Sequence, residues 1–232
     1  MATTASTTAP VSLASVTLEV ADPEATAAFH RAFGVDAHVR VRAAAAPPAD
    51  GFRGFTLALT VSGPATVDAF FGAAVDAGAT VIKPATKSLW GYGGVVRAPD
   101  GTFWKIATSA KKDTGPATRE IDEFVLLLGV DDVKATKEFY VGQGLRVAKS
   151  FGGKYAEFTP GTAAGTGTGT GTETATGTGT GTGVVKLALY KRRGLAKDLG
   201  VTDDGAGAHH VVLGGTGGSF TDLDGFVWEG EK

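Results

Sequence analysis

The chain has 232 residues, 22 Lys and Arg against 24 Asp and Glu, no Cys, and 43% hydrophobic residues. A formal charge of −2 gives no field of one sign to draw in nucleic acid or an anionic membrane. The lack of Cys excludes disulfides, thiolate zinc sites, iron–sulfur clusters and cysteine nucleophiles. The start, MATTASTTAP, has no basic residues ahead of an apolar stretch and does not read as a secretory signal. The longest apolar run, Phe124 to Leu128, is far short of the roughly 18 residues a spanning helix needs. The expectation is a soluble, cytoplasmic protein with a disordered tail over residues 1–12.

Leu13 to Ala21 alternates and predicts a strand. Asp22-Pro23 supplies an N-cap and an N1 proline for a helix closed by Gly34. Residues 36–42 predict a second strand, 43–51 a loop and 54–61 a third strand. Val67, Phe70, Phe71, Ala74 and Val75 form an apolar stripe at helical period within 64–78. Ala79 to Ile82 reads as a short strand. Gly93–Arg97 and Thr102–Thr108 read as a hairpin about Pro99-Asp100-Gly101. Residues 110–120, charged and carrying Gly-Pro, read as a linker.

Glu123 to Val130 predicts another strand, and Asp131-Asp132 can cap the helix after it. Two strands follow at 145–151 and 154–158. Residues 161–183 are a Gly-Thr repeat with almost nothing to bury, and read as a disordered insert. Val184–Tyr190 is a strand, RRGLAKDLG a helical turn, and His209–Leu213 a strand. Phe226–Glu229 follows the turn Asp222-Leu223-Asp224-Gly225.

Two pairs of segments match: residues 22–35 with 131–145, and 98–106 with 222–230. The first half keeps a full helix at 64–78 but has little room for strands between 43 and 53. The second has strands there, yet only Gly214 to Ser219 where a helix would match. The gaps are complementary, so each half is expected to cover the other's.

At these segments the chain resembles the vicinal oxygen chelate superfamily, which includes glyoxalase I, bleomycin-resistance proteins and extradiol dioxygenases. The resemblance is carried by strand-Asp-helix at 16–33 and 125–140, Phe29-His30 and Phe139-Tyr140, Gly-Tyr-Gly-Gly at 91–94, and Asp-Gly-x-x-Trp at 100–104 and 224–228. It implies an α+β fold of tandem βαβββ modules, both shortened, whose curled mixed sheets surround a cup. The modules would span 13–109 and 121–232.

The resemblance also implies positions for a metal. The first-strand position falls near Ser15 and Val125, and the position after the closing Trp on Lys105 and Glu229. The remaining one falls in Phe55-Thr56-Leu57 in the first half and on His209 and His210 in the second. Neighbours in a strand face opposite ways, so one His of the pair would face the cup. Two readings stand. In one, a small molecule binds in a cup lined by Trp90, Tyr92, Trp104 and Tyr190 without a complete metal site. In the other, Glu229 and one of His209 and His210 hold Ni, Zn, Fe or Mn in a lyase, isomerase or dioxygenase. Trp104 and Trp228 fit a cup wall or a core equally. No G-x-S-x-G elbow, H-E-x-x-H or P-loop occurs. The expected partners are a small-molecule ligand and, since relatives pair modules across an interface, a second copy of the chain.

Overall fold

The computed structural model describes residues 11–46, 51–160, 184–205 and 208–231. The expected insert at 161–183 lies outside them, as does most of the expected tail. Val11 and Ser12 are described: Val11 packs against the core, and the Ser12 amide donates to Thr216 Oγ1 at 3.2 Å.

The chain opens with β1 (Leu13–Val20), α1 (Pro23–Phe33) and β2 (Arg40–Ala43). Asp22 caps α1 by accepting from the Ala25 amide, and Gly34 closes it at φ +88°. Strand β2 is shorter than its alternation predicts, because the His38 amide bonds to the Val35 carbonyl in a turn. Next come β3 (Phe55–Thr60), α2 (Pro64–Asp76), β4 (Thr80–Ser88), β5 (Gly91–Arg97) and β6 (Phe103–Thr108). The stripe on α2 buries Val67, Phe70 and Ala74, while Val75 stays exposed. After residues 110–120, which form no helix or strand, follow β7 (Glu123–Val130), α3 (Val133–Gly142), β8 (Val147–Phe151), β9 (Tyr155–Phe158) and β10 (Val185–Lys191). Helix α4 (Arg192–Leu199) and strands β11 (Val211–Gly215), β12 (Phe220–Thr221) and β13 (Val227–Gly230) complete the order.

Two mixed sheets form, neither closed into a barrel. Sheet A has the order β12-β13-β11-β1-β2 and sheet B the order β4-β5-β6-β3-β7-β10-β9-β8. Each takes strands from both sides of residues 110–120. In sheet B the units β3-α2-β4-β5-β6 and β7-α3-β8-β9-β10 are each βαβββ and lie edge to edge through the antiparallel β3–β7 pair. In sheet A, β1 pairs antiparallel with β11, and parallel partners β2 and β13 flank them. One hydrophobic cluster runs through both sheets and α1–α3, with Trp104, Trp228, Phe33, Phe55 and Phe124 fully buried in it.

The two closing Trp residues sit in unlike surroundings. Trp228 Nε1 donates to the Tyr140 hydroxyl at 3.2 Å, and that hydroxyl donates to Asp222 Oδ2 at 2.6 Å. Asp222 Oδ1 also accepts from the Asp224 and Phe226 amides, which fixes the turn into β13. In the matching place of the first half stand Trp104, His30 and Ala98. There Trp104 Nε1 and His30 Nε2 are buried and find no hydrogen-bond partner among the described residues.

Two predictions follow from this contrast. Asp222→Ala strands two amides and a buried hydroxyl and should lower stability by about 3 kcal/mol, against about 1–2 kcal/mol for Tyr140→Phe, read by urea denaturation. Burial lowers the pKa of His30 and of His38 below 6.5, outweighing the nearby Asp100 and Asp36 carboxylates. The unfolded chain therefore binds protons that the folded chain refuses, so stability is lost as pH falls below about 6.5. Asp222, whose pKa burial raises, acts in the opposite sense. His30→Phe should flatten the slope of stability against pH between 5 and 7 by up to about 1.4 kcal/mol per pH unit.

Candidate functional site

Alternation along each sheet leaves one face to the core and one open. On sheet A the open face carries Ser15 and Glu19 from β1, Arg40 and Arg42 from β2, Glu229 from β13, and Glu231. Arg42 lies between two carboxylates: its Nη1 and Nη2 reach Glu229 at 3.0 and 2.9 Å, and its Nε and Nη2 reach Glu19 at 3.1 and 2.8 Å. That pairing holds the Glu229 pKa below the usual carboxylate range. Arg40 Nη1 donates to Glu231 at 2.7 Å and to Ser15 Oγ at 3.3 Å, and the Ser15 hydroxyl donates to Glu231.

The open face of sheet B has a central row of Lys105, Ala58, Val125 and Lys186, neighbours across β6, β3, β7 and β10. Lys105 pairs with Asp198 at 2.5 Å and Lys186 with Glu123 at 2.5 Å. Helix α4 lies over this face. Its Leu195, Ala196 and Leu199 pack on Phe52, Val95 and Phe103, and Gly200, at φ +81°, ends it. The Lys83 ammonium donates to the Lys197 and Asp198 carbonyls, satisfying acceptors at the helix C-terminus.

A recess of about 480 Å³ lies beside α4 and the β4–β5 hairpin, lined by Trp90, Gly93, Val95, Lys105 and Asp198 among others. Another, of about 720 Å³, is lined by Lys154, Tyr190, Arg193 and Lys197.

The expected aromatic lining is therefore divided. Trp90 stands at the first recess, 84% exposed. Tyr92 adjoins it, but its ring packs against the core and its hydroxyl donates to Asp68 on α2 at 2.8 Å. Trp104 does not line either recess. It is fully buried, because alternation along β6 sends it to the core face and Lys105 to the open one. Tyr190 belongs to the second recess, away from Trp90.

The expected metal ligands are also placed differently. His209 and His210 precede β11 rather than alternate within it, and His210 has φ +54°. The His209 ring stacks on Phe226, and its nitrogens lie 2.6 Å from the Arg53 carbonyl and 2.9 Å from that of Asp224. His210 Nδ1 is 3.8 Å from Glu19, and burial together with Arg53 lowers its pKa. Glu229 is held by Arg42. Among the described residues, no group of three His, Asp or Glu is arranged to hold a metal ion, and no helix is long and apolar enough to cross a membrane. Sequence reading passed over Arg42, Glu19, Asp198 and Lys83. The one available signal was the alternation of Arg40 and Arg42 in β2.

No family model and no curated protein matches this chain. Solved structures do. Glyoxalase I from Zea mays matches over 94% of this chain and 91% of that one, at 14% identity and a TM-score of 0.54. Two single-residue mutants of that enzyme match at TM-scores of 0.54 and 0.52 and identities of 15% and 14%, over 95% and 94% of this chain and 92% of theirs. At that identity the likeness establishes the architecture alone: the chain has the fold of glyoxalase I, as the sequence resemblance implied.

The Arg42 bridge can be measured as a cycle. Arg42→Met leaves two facing carboxylates uncompensated and should lower stability by about 1–2 kcal/mol at low salt, and by less at high salt. Adding Glu229→Gln to Arg42→Met should restore part of that loss, a coupling that thermal melts of the two single variants and the double variant will read.

Proposed function

We propose that this protein binds a small organic molecule on the open face of sheet B, in the recess between α4 and the β4–β5 hairpin, and does so without a divalent metal. One observation carries the reading. Trp90, an exposed aromatic, stands at a recess of about 480 Å³ that Lys105 also lines. A concave site with an aromatic wall and a few polar groups is the common form of a small-molecule site.

The metal-free part rests on the donor set. A divalent ion needs free lone pairs from several ligands at once. Both Glu229 oxygens accept from Arg42, and both His209 nitrogens face backbone carbonyls. At the corresponding place in sheet B, Lys105 puts an ammonium where a cation would otherwise sit. These residues do not fit a metal ion.

Binding can be followed through tryptophan. Trp104 and Trp228 are 0% and 1% exposed, so quencher-accessible emission belongs to Trp90. In a screen of planar organic fragments, binders should shield Trp90 from acrylamide and raise the melting temperature. Both effects should vanish in Trp90→Ala. A screen without binders, or binders that stabilise Trp90→Ala equally, would overturn the proposal.

A further inference from the structure

We propose further that the ligand of this recess is an aromatic carboxylate, or an equivalent anion on a planar apolar body, bound by exchange with Asp198 at the Lys105 ammonium. This rests on the reading above and adds the chemical class of the ligand. Among the described residues, the charged side chains that line the recess are Lys83, Lys105 and Asp198, and Asp68 stands behind it on the Tyr92 hydroxyl. Lys83 is anchored through the Lys197 and Asp198 backbone carbonyls, so its charge stays at the rim without drawing on the Asp198 carboxylate.

The Lys105–Asp198 pair is the exchangeable one. Its side chains are 34% and 44% exposed, and an ion pair so open to water contributes about 0–1 kcal/mol. An incoming carboxylate can therefore take the Asp198 position on Lys105 at little loss, leaving Asp198 to water. Three hydroxyls of the lining, on Thr60, Thr86 and Ser109, have no side-chain hydrogen bond among the described residues and can donate to an anion. The apolar body would lie against Trp90 and Pro84, which line the same space. A cationic ligand would meet both lysines, and a neutral one would leave the Lys105 pair unused.

The test is calorimetric titration of the full chain with naphthoate, its neutral carboxamide and naphthylmethylamine. Naphthoate should bind about tenfold more tightly than the carboxamide, and the amine should bind weakest. Lys105→Gln should abolish the preference for naphthoate over the carboxamide. Asp198→Asn should tighten naphthoate about threefold relative to the carboxamide. Thermal melts of both variants check that they fold. Equal binding of naphthoate and carboxamide, each shielding Trp90, would overturn this inference while the recess remained a binding site. Failure of all three to bind or to shield Trp90, with no other fragment doing so, would overturn the reading beneath it.

Discussion

The antiparallel pairing of β3 with β7 and of β1 with β11 is the constraint on which the rest of the molecule depends. Each pair joins a strand from before residues 110–120 to one from after them. Both sheets are thus continuous across that divide: four strands from each half meet in sheet B, and sheet A joins β1 and β2 to β11, β12 and β13. The pairing also sets register. Leu57 faces Leu126 and Ala58 faces Val125, so one face of sheet B turns a continuous apolar row to the core and the other turns outward. A slip of one residue at this seam would set the core face of one half beside the open face of the other, turning either Lys105 or Lys186 to the core side.

The two open faces solve one problem in the same way. Sheet A sets Arg40 and Arg42 among Glu19, Glu229 and Glu231. Sheet B sets Lys105 and Lys186 among Glu123, Glu157 and Asp198. In both, side chains of the chain itself supply the positive charge that balances the carboxylates. The fold is shared with glyoxalase I from Zea mays, but function lives in the site, and at this site the carboxylate of Glu229 is committed to a guanidinium. Helix α4 covers part of the sheet B face and contributes to the lining of both recesses.

Much of the fold was legible because its signals are local. Asp22 and Gly34 cap α1, Asp132 caps α3, and Pro99-Asp100-Gly101 turns the β5–β6 hairpin, each acting within a few residues. Strand β4 was read too short, because Pro84 and the polar residues after Ile82 hide an edge strand that bulges twice. The site was less legible because its contacts are distant in sequence. Arg42 and Glu229 are 187 residues apart and Lys105 and Asp198 are 93 apart, so periodicity cannot pair them. Trp104 was open to two readings because a Trp beside a Lys marks a strand without saying which of them faces inward. His209 and His210 were read as strand neighbours, whereas a left-handed residue at His210 places them in the approach to β11.

On the reading proposed above, the protein's own arginine and lysine side chains take the charge positions of the two open faces and no divalent ion binds there. The most direct measurement is titration of the purified, chelator-treated protein with Ni²⁺, Zn²⁺, Fe²⁺ and Mn²⁺ by calorimetry, alongside elemental analysis of the untreated protein. The expected result is no stoichiometric ion and no binding that depends on Glu229. One ion per chain, held by the wild type and lost in Glu229→Gln, would contradict it.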